Sequence, residues 1–421
     1  MSAVAVDVNI KARWIAPMTG DLGLLANHTL VIRDGRILDV LPTAEAERRY
    51  MPRVETVRPA HLLMPGLVNA RTSVAPARPD SDFDPDGALL AIADMVIGGT
   101  TTFCDVGCFP RDSADVAAAQ GLRAVIGLPV AEHPSGWARP GEYLSKALRL
   151  RDELKGHPSI CARFAPLDAV SLSDQTLRRM GVLADELDAG MLISLHESRR
   201  EVDESLSRHG RRPIVRLREL GLLSPALTAS HLAWLDGGDL DLARSSGIGI
   251  TLCLASSLVR DQGLSPLAQL EAGRARGGDA AREASSQLRL SLGTDAHVCG
   301  PAHDLWTEMR LLALHSGAAR MPAALLAATH GGAAALGLEA EIGTLEAGKW
   351  ADVCCVDLAG PAASPARDPL RELALQGGRD LVTDVWVAGR ALLADRRLTR
   401  IDWPQLASRL GARQPEKGSP P

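Results

Sequence analysis

The order of apolar and polar positions divides the chain into three stretches. Residues 8–15 partly alternate, as a half-buried strand does. Residues 29–40 read as a β-hairpin with Asp34-Gly35 at its turn, the strongest short hairpin signal. From about residue 62 to 340 the pattern changes. Short, nearly continuous apolar runs lie at 63–68, 101–106, 124–129, 160–165, 191–196, 227–234, 249–255 and 288–293. Helical stretches such as 87–97 and 174–187 separate them, the second with Ser173 as its N-cap. Repeated β-then-α units with strands apolar on both faces imply a parallel sheet. Eight such strands suit a closed (β/α)8, TIM-like barrel, in which chemistry sits where strands end and loops begin. Strand-like sequence returns at 351–357 and 381–390. The expected architecture is α/β: a barrel over 62–340, a composite β-sandwich from 1–61 and 341–410, and a tail, 411–421, whose Pro, Gly and charge imply disorder.

Composition adds exclusions. With 421 residues, 46% hydrophobic and 23% charged, the chain can bury a large core. A net charge of -5 gives no reason to invoke nucleic acid or an anionic membrane surface. The start, Met-Ser-Ala-Val-Ala-Val-Asp, has no basic patch followed by an apolar run, and no stretch is long and apolar enough to span a bilayer. A cytoplasmic protein is expected. The seven cysteines are odd in number and lie mostly in apolar runs, so they read as reduced, buried thiols. Cys104 and Cys108 are four apart, with no second pair at zinc-site spacing, and do not make a structural zinc. Aromatics at 3% offer little to stack a purine or triazine ring.

Four motifs carry a resemblance. Leu63-Met64-Pro65-Gly66-Leu67-Val68-Asn69-Ala70-Arg71-Thr72-Ser73 resembles the PGLVNA-His-Thr-His end of the first barrel strand in the amidohydrolase superfamily. Gly98-Gly99-Thr100-Thr101, Leu292-Gly293-Thr294-Asp295 and Ile342-Gly343-Thr344-Leu345-Glu346-Ala347-Gly348-Lys349-Trp350-Ala351-Asp352 resemble three later motifs of its branch of methylthioadenosine/S-adenosylhomocysteine deaminases and triazine hydrolases. The resemblance runs over roughly residues 8–405. It implies the barrel-plus-sheet fold, a homodimer, and one divalent metal, zinc or iron, held by the His-x-His pair, a fifth-strand histidine and an eighth-strand aspartate. Such a metal lowers the pKa of its bound water and supplies hydroxide.

The residues at those positions depart from the pattern. Arg71 and Ser73 stand where the histidine pair is expected, and arginine, always protonated, is no ligand. In Ile193-Ser194-Leu195-His196-Glu197 the third histidine corresponds to Ser194. Alternate residues of a strand share a face, so His196 is the one substitute, one step nearer the mouth. Glu197 corresponds to the proton shuttle, His231 to the water-activating histidine and Asp295 to the remaining ligand. Asp295, His231 and His196 are the residual metal-ligand candidates, and no bound metal is expected. Leu167 replaces a substrate-contacting histidine, the segment 74–86 is short and holds one aromatic, Phe83, and Cys253-Leu254-Ala255-Ser256-Ser257 replaces a Cys-Pro-x-Ser-Asn run. Arg71, Ser73, Ser194, His196 and Leu167 are expected to line the site. A partly buried Asp295 without its metal is costly, so Arg71 is expected within salt-bridge reach of Asp295 or Glu197. His297 and His303 flank the last motif. Asp105 and Asp168 read as caps, and Trp234 and Trp306 as packing under loops. Two functions follow: a metal-depleted, catalytically impaired protein that acts as a binding or regulatory subunit or as a partner of an active paralogue, or an active hydrolase or deaminase on non-peptide C–N bonds of a small cyclic, purine- or triazine-like substrate using Glu197, His231 and Asp295.

Overall fold

The structure, a computed structural model, describes residues 3–19, 22–75, 82–266, 289–295, 303–316, 322–360 and 368–412. The first strands are β1 (Val4–Ile15), β2 (Leu25–Arg33), β3 (Arg36–Pro42) and β4 (Tyr50–Pro65). Asp34 and Gly35 make the tight turn between β2 and β3, both with positive φ (54° and 75°), as a two-residue hairpin turn requires. The barrel strands are β5 (Leu67–Thr72), β6 (Thr100–Asp105), β7 (Arg123–Val130), β8 (Ile160–Pro166), β9 (Met191–Leu195), β10 (Leu227–His231), β11 (Gly249–Leu252) and β12 (Arg289–Leu292). The last four are β13 (Val353–Asp357), β14 (Val382–Val387), β15 (Arg390–Ala394) and β16 (Arg397–Leu398).

The eight middle strands form one parallel sheet in chain order, and the ends of the chain form a separate mixed sheet in the order β16-β15-β14-β13-β4-β1-β2-β3. The barrel therefore matches the expectation. One strand differs. Residues 62–65 pair with β13, so the run read as one strand over 63–68 is cut in two. The cut falls at Pro65-Gly66, where a Cβ on Gly66 would lie 2.1 Å from Thr101 Cγ2, so only glycine lets the chain cross between sheets here. The strand expected at 227–234 stops at His231, and that expected at 249–255 stops at Leu252, because helix Leu254–Val259 begins at once. Helices Pro85–Ile97 and Asp174–Glu186 occur as expected, capped by the side chains of Asp84 and Ser173.

Alternation sorts the strand residues. Phe103, Ile126, Phe164, Ile193, Ala229 and Ile250 pack outward against the helices. Val68, Ala70, Cys104, Val125, Ala165 and Leu192 fill the barrel interior. First and last strands meet at the mouth, where the Asp295 N–H donates to Arg71 C=O (3.0 Å) and Thr72 bridges to Asp295. A Cβ on Gly293 would come within 2.8 Å of the Arg71 backbone, so this seam also needs its glycine. No helix among the described residues is long and apolar enough to cross a membrane. The six described cysteines are free, and Cys161, second residue of β8, is exposed rather than buried. The expectation for the tail and for His297 lies outside the described residues.

Candidate functional site at the barrel mouth

The C-terminal ends of β5, β9, β10 and β12 bring Arg71, Glu197, His231 and Asp295 together. Register breaks between Asn69 and Thr72 interrupt the alternation of β5 and carry Arg71 to the mouth. His196, His231 and Asp295 all have positive φ (53°, 72° and 54°), a conformation costly for these side chains. Neighbouring strands hold it: Leu232 N–H donates to Leu195 C=O (2.9 Å) and Ala233 N–H to His196 C=O (3.0 Å).

Asp295 is enclosed by donors. Arg71 Nε donates to its Oδ1 at 3.3 Å, the contact expected from the sequence. Ser256 Oγ donates to Oδ2 at 2.8 Å, and Arg260 Nη2 lies 3.2 Å from the same oxygen. Burial alone would raise the Asp295 carboxyl, but Arg71, His231, the Ser256 bond and Arg260 together hold it below the usual carboxylate range. Arg260 also bonds Glu197, which accepts from Gln262 Nε2 at 3.3 Å. The Glu197 Oε2 atom lies 4.0 Å from His231 Nε2. The His231 imidazole is wholly buried, and among the described residues neither ring nitrogen has a hydrogen-bond partner. Burial, then Arg71, pushes its pKa down to about 4, so it is neutral at pH 7.

Four expected positions do not join this group. His196 was the candidate replacement ligand, but its strand ends at Leu195 and the left-handed turn at 196 swings the ring into the protein. There Nδ1 meets Trp234 C=O at 3.1 Å, and Nε2 accepts from Ile214 N–H at 3.1 Å. Ser73 donates to Ala75 C=O at 2.5 Å, a bond within its own loop. Leu167 packs beside Trp137 and Tyr143 in a separate apolar cluster. Ser194 lies on β9 with no hydrogen bond to the mouth residues.

Other candidates behave as scaffolding. Asp105 accepts from Val74 N–H (2.9 Å), and burial lifts its pKa to about 6. Asp168 accepts from Val170 N–H (2.9 Å). His303 Nδ1 lies 2.8 Å from Thr72 Oγ1. Trp306 is buried and donates to Gly98 C=O (2.8 Å), while Trp234 is 39% exposed.

Three important residues were missed by sequence reasoning. Arg260 had no motif to mark it. Glu201 accepts from the N–H groups of His196 (3.1 Å) and Glu197 (2.6 Å), and burial lifts its pKa to about 7. The spacing Ser198-x-x-Glu201 carries a capping-box signature that could have flagged it. Glu308 accepts from Leu254 N–H (2.7 Å) and Ala255 N–H (3.2 Å), and burial lifts its pKa to about 8. Both carboxyls brace the loops that carry Glu197 and Ser256.

The residues present do not fit the divalent metal that the resemblance implies. A catalytic zinc takes three protein ligands. Of the four family positions only Asp295 keeps a ligand side chain, and its oxygens are already taken by two guanidinium groups and a hydroxyl. His196 and Ser73 are turned away. Among the described residues no group of three His, Cys, Asp or Glu side chains is placed to hold a metal.

Comparison with known proteins agrees with the fold. The chain is 31% identical over 440 residues to 5-methylthioadenosine/S-adenosylhomocysteine deaminase of Teredinibacter turnerae, covering 97% of both chains. It superposes on a zinc-bound adenosine deaminase from Xanthomonas campestris with TM-score 0.88 and 32% identity, covering 97% of this chain and 98% of that one. Atrazine chlorohydrolase from Arthrobacter aurescens, solved with zinc, shares the fold alone, with TM-score 0.79 at 17% identity over 96% of this chain and 99% of its own. The amidohydrolase family matches residues 62–392, spanning the barrel and most of the strands that follow it. The chain belongs to the amidohydrolase family, among relatives that are hydrolytic deaminases.

Proposed function

We propose that this chain is a hydrolase acting on a non-peptide C–N bond of a small cyclic, purine- or triazine-like substrate at the barrel mouth. Near-complete alignment with deaminases supports this reading over the catalytically impaired protein suggested by the lost ligands. The observation that carries it is the convergence of a neutral, unpartnered His231 on Glu197 at 4.0 Å. Hydrolytic deamination needs a water to lose a proton and the departing amine to gain one. His231 has a free lone pair at neutral pH to accept the first, and the Glu197 carboxylate, 4.0 Å away, can take that same proton from the imidazolium and deliver it to the departing amine. Arg71 and Arg260 place positive charge where negative charge develops as water adds to the ring. No step is assigned to a metal.

One observation favours a second reading, a metal-depleted binding or regulatory protein: Asp295 is saturated by Arg71, Arg260 and Ser256. Ammonia release from adenosine, methylthioadenosine, guanine and a triazine separates the two, measured on protein whose metal content is known. The first reading expects release that survives chelation and is lost in His231→Asn and Glu197→Gln. No release from any of the four, with or without added zinc, leaves the second.

A further inference from the structure

We infer that the barrel mouth receives a monovalent planar oxyanion, a carboxylate carried on a small ring, and that Arg71 is its anchor. This goes beyond C–N hydrolysis and stands whether or not a bond is cleaved.

The first observation is an unused fork. Arg71 commits Nε alone to Asp295, and among the described residues neither terminal nitrogen makes a hydrogen bond. The side chain is 15% exposed and so keeps contact with the mouth. The other deeply buried guanidiniums are fully used. Arg123 spends Nε and Nη2 on Asp352 and Nη1 on Pro158 C=O. Arg216 spends Nε on Asp174 and its two terminal nitrogens on the carbonyls of Ala169 and Leu172. A guanidinium held in place by one edge and open on the other matches the two oxygens of a carboxylate.

The second observation is His231. Its ring is wholly buried beside this group, and among the described residues both nitrogens lack partners. Buried polar groups are ordinarily bonded. In the tautomer that presents N–H to the mouth it supplies a further donor to the same oxyanion.

The third is charge. Arg260 engages both Glu197 and Asp295, so the two carboxylates meet two guanidiniums and the group is neutral. One added negative charge meets the open side of Arg71. A cation would face two arginines, and among the described residues a dianion would find no second guanidinium with two free terminal nitrogens.

The test uses the full chain and three probes of one shape: benzoate, neutral benzamide and cationic benzamidine, with affinities from calorimetry. Benzoate is expected to bind at least tenfold more tightly than either of the others. Arg71→Lys keeps the charge but loses the fork and should weaken benzoate about tenfold. A second measurement needs no variant: phenylglyoxal modification of the natural protein, mapped by mass spectrometry, should be suppressed at Arg71 by benzoate. Equal binding of benzamide, tighter binding of benzamidine, undetectable benzoate binding, or an Arg71 modification rate unchanged by benzoate would each overturn the proposal. Ammonia release is not a readout here, so failure of the hydrolase reading is seen separately.

Discussion

Two buried arginine–aspartate pairs tie this molecule together, and they are built differently. At the junction of the two sheets Arg123 grips Asp352 with both edges of its fork (3.0 and 3.3 Å), and the same carboxylate accepts Ala388 N–H at 2.8 Å. Each of the three guanidinium nitrogens has a partner, and the side chains are 8% and 3% exposed. At the barrel mouth Arg71 touches Asp295 through one nitrogen, with more exposure on both sides, 15% and 7%. Asp295 has two further donors, while Arg71 has spare ones. The first pair is complete in itself. The second is complete only from the side of the aspartate. On the proposal above, the open edge of Arg71 is where the oxyanion docks.

The comparison can be broken by removing each arginine. Arg123→Ala leaves Asp352 buried and uncompensated and should cost about 3–5 kcal/mol in denaturant unfolding. Arg71→Leu leaves Asp295 with Arg260 and Ser256 and should cost only about 1–2 kcal/mol, while abolishing benzoate binding. Equal losses from the two would mean that the mouth pair is as structural as the junction pair.

A change of pH tests the braces behind the mouth with a smaller effect. Glu201 and Glu308 have folded pKa values of about 7 and about 8, above the 4.5 of an unperturbed glutamate. Between those limits the folded chain holds protons that the unfolded chain has released, so stability falls as pH rises. His231 and His196, both lowered to about 4 from 6.5, act in the opposite sense, but only below pH 6.5. From pH 6.5 to 8 the carboxyls act alone, and the loss should be on the order of 1 kcal/mol for each group. Thermal unfolding across that range should show a falling midpoint, and Glu308→Gln should flatten the fall. A midpoint that is level or rises with pH would remove the protonated braces from the account.

Much of this was legible in the chain. The apolar runs gave the number and type of barrel strands, and the motif frames from Pro65-Gly66 to Thr294-Asp295 marked the ends where chemistry sits. The replacement of histidines by Arg71, Ser73 and Ser194 needed no coordinates, nor did the pairing of Arg71 with Asp295, because a lone buried carboxylate demands a cation. The failures share one cause. His196 was placed by strand alternation, yet the strand stops one residue earlier and a left-handed turn sends the ring the other way. The run at 63–68 looked like one strand because hydrophobicity does not say which sheet a residue joins. Arg260 and Glu308 act across long stretches of chain, 63 residues of sequence for Arg260 and Glu197 and 54 for Glu308 and Leu254. Local pattern thus determined the scaffold and what its site had lost, since periodicity and residue type are properties of the chain. Tertiary structure alone decided what filled the gap, because a long flexible side chain is placed by the packing and charges it meets at its far end.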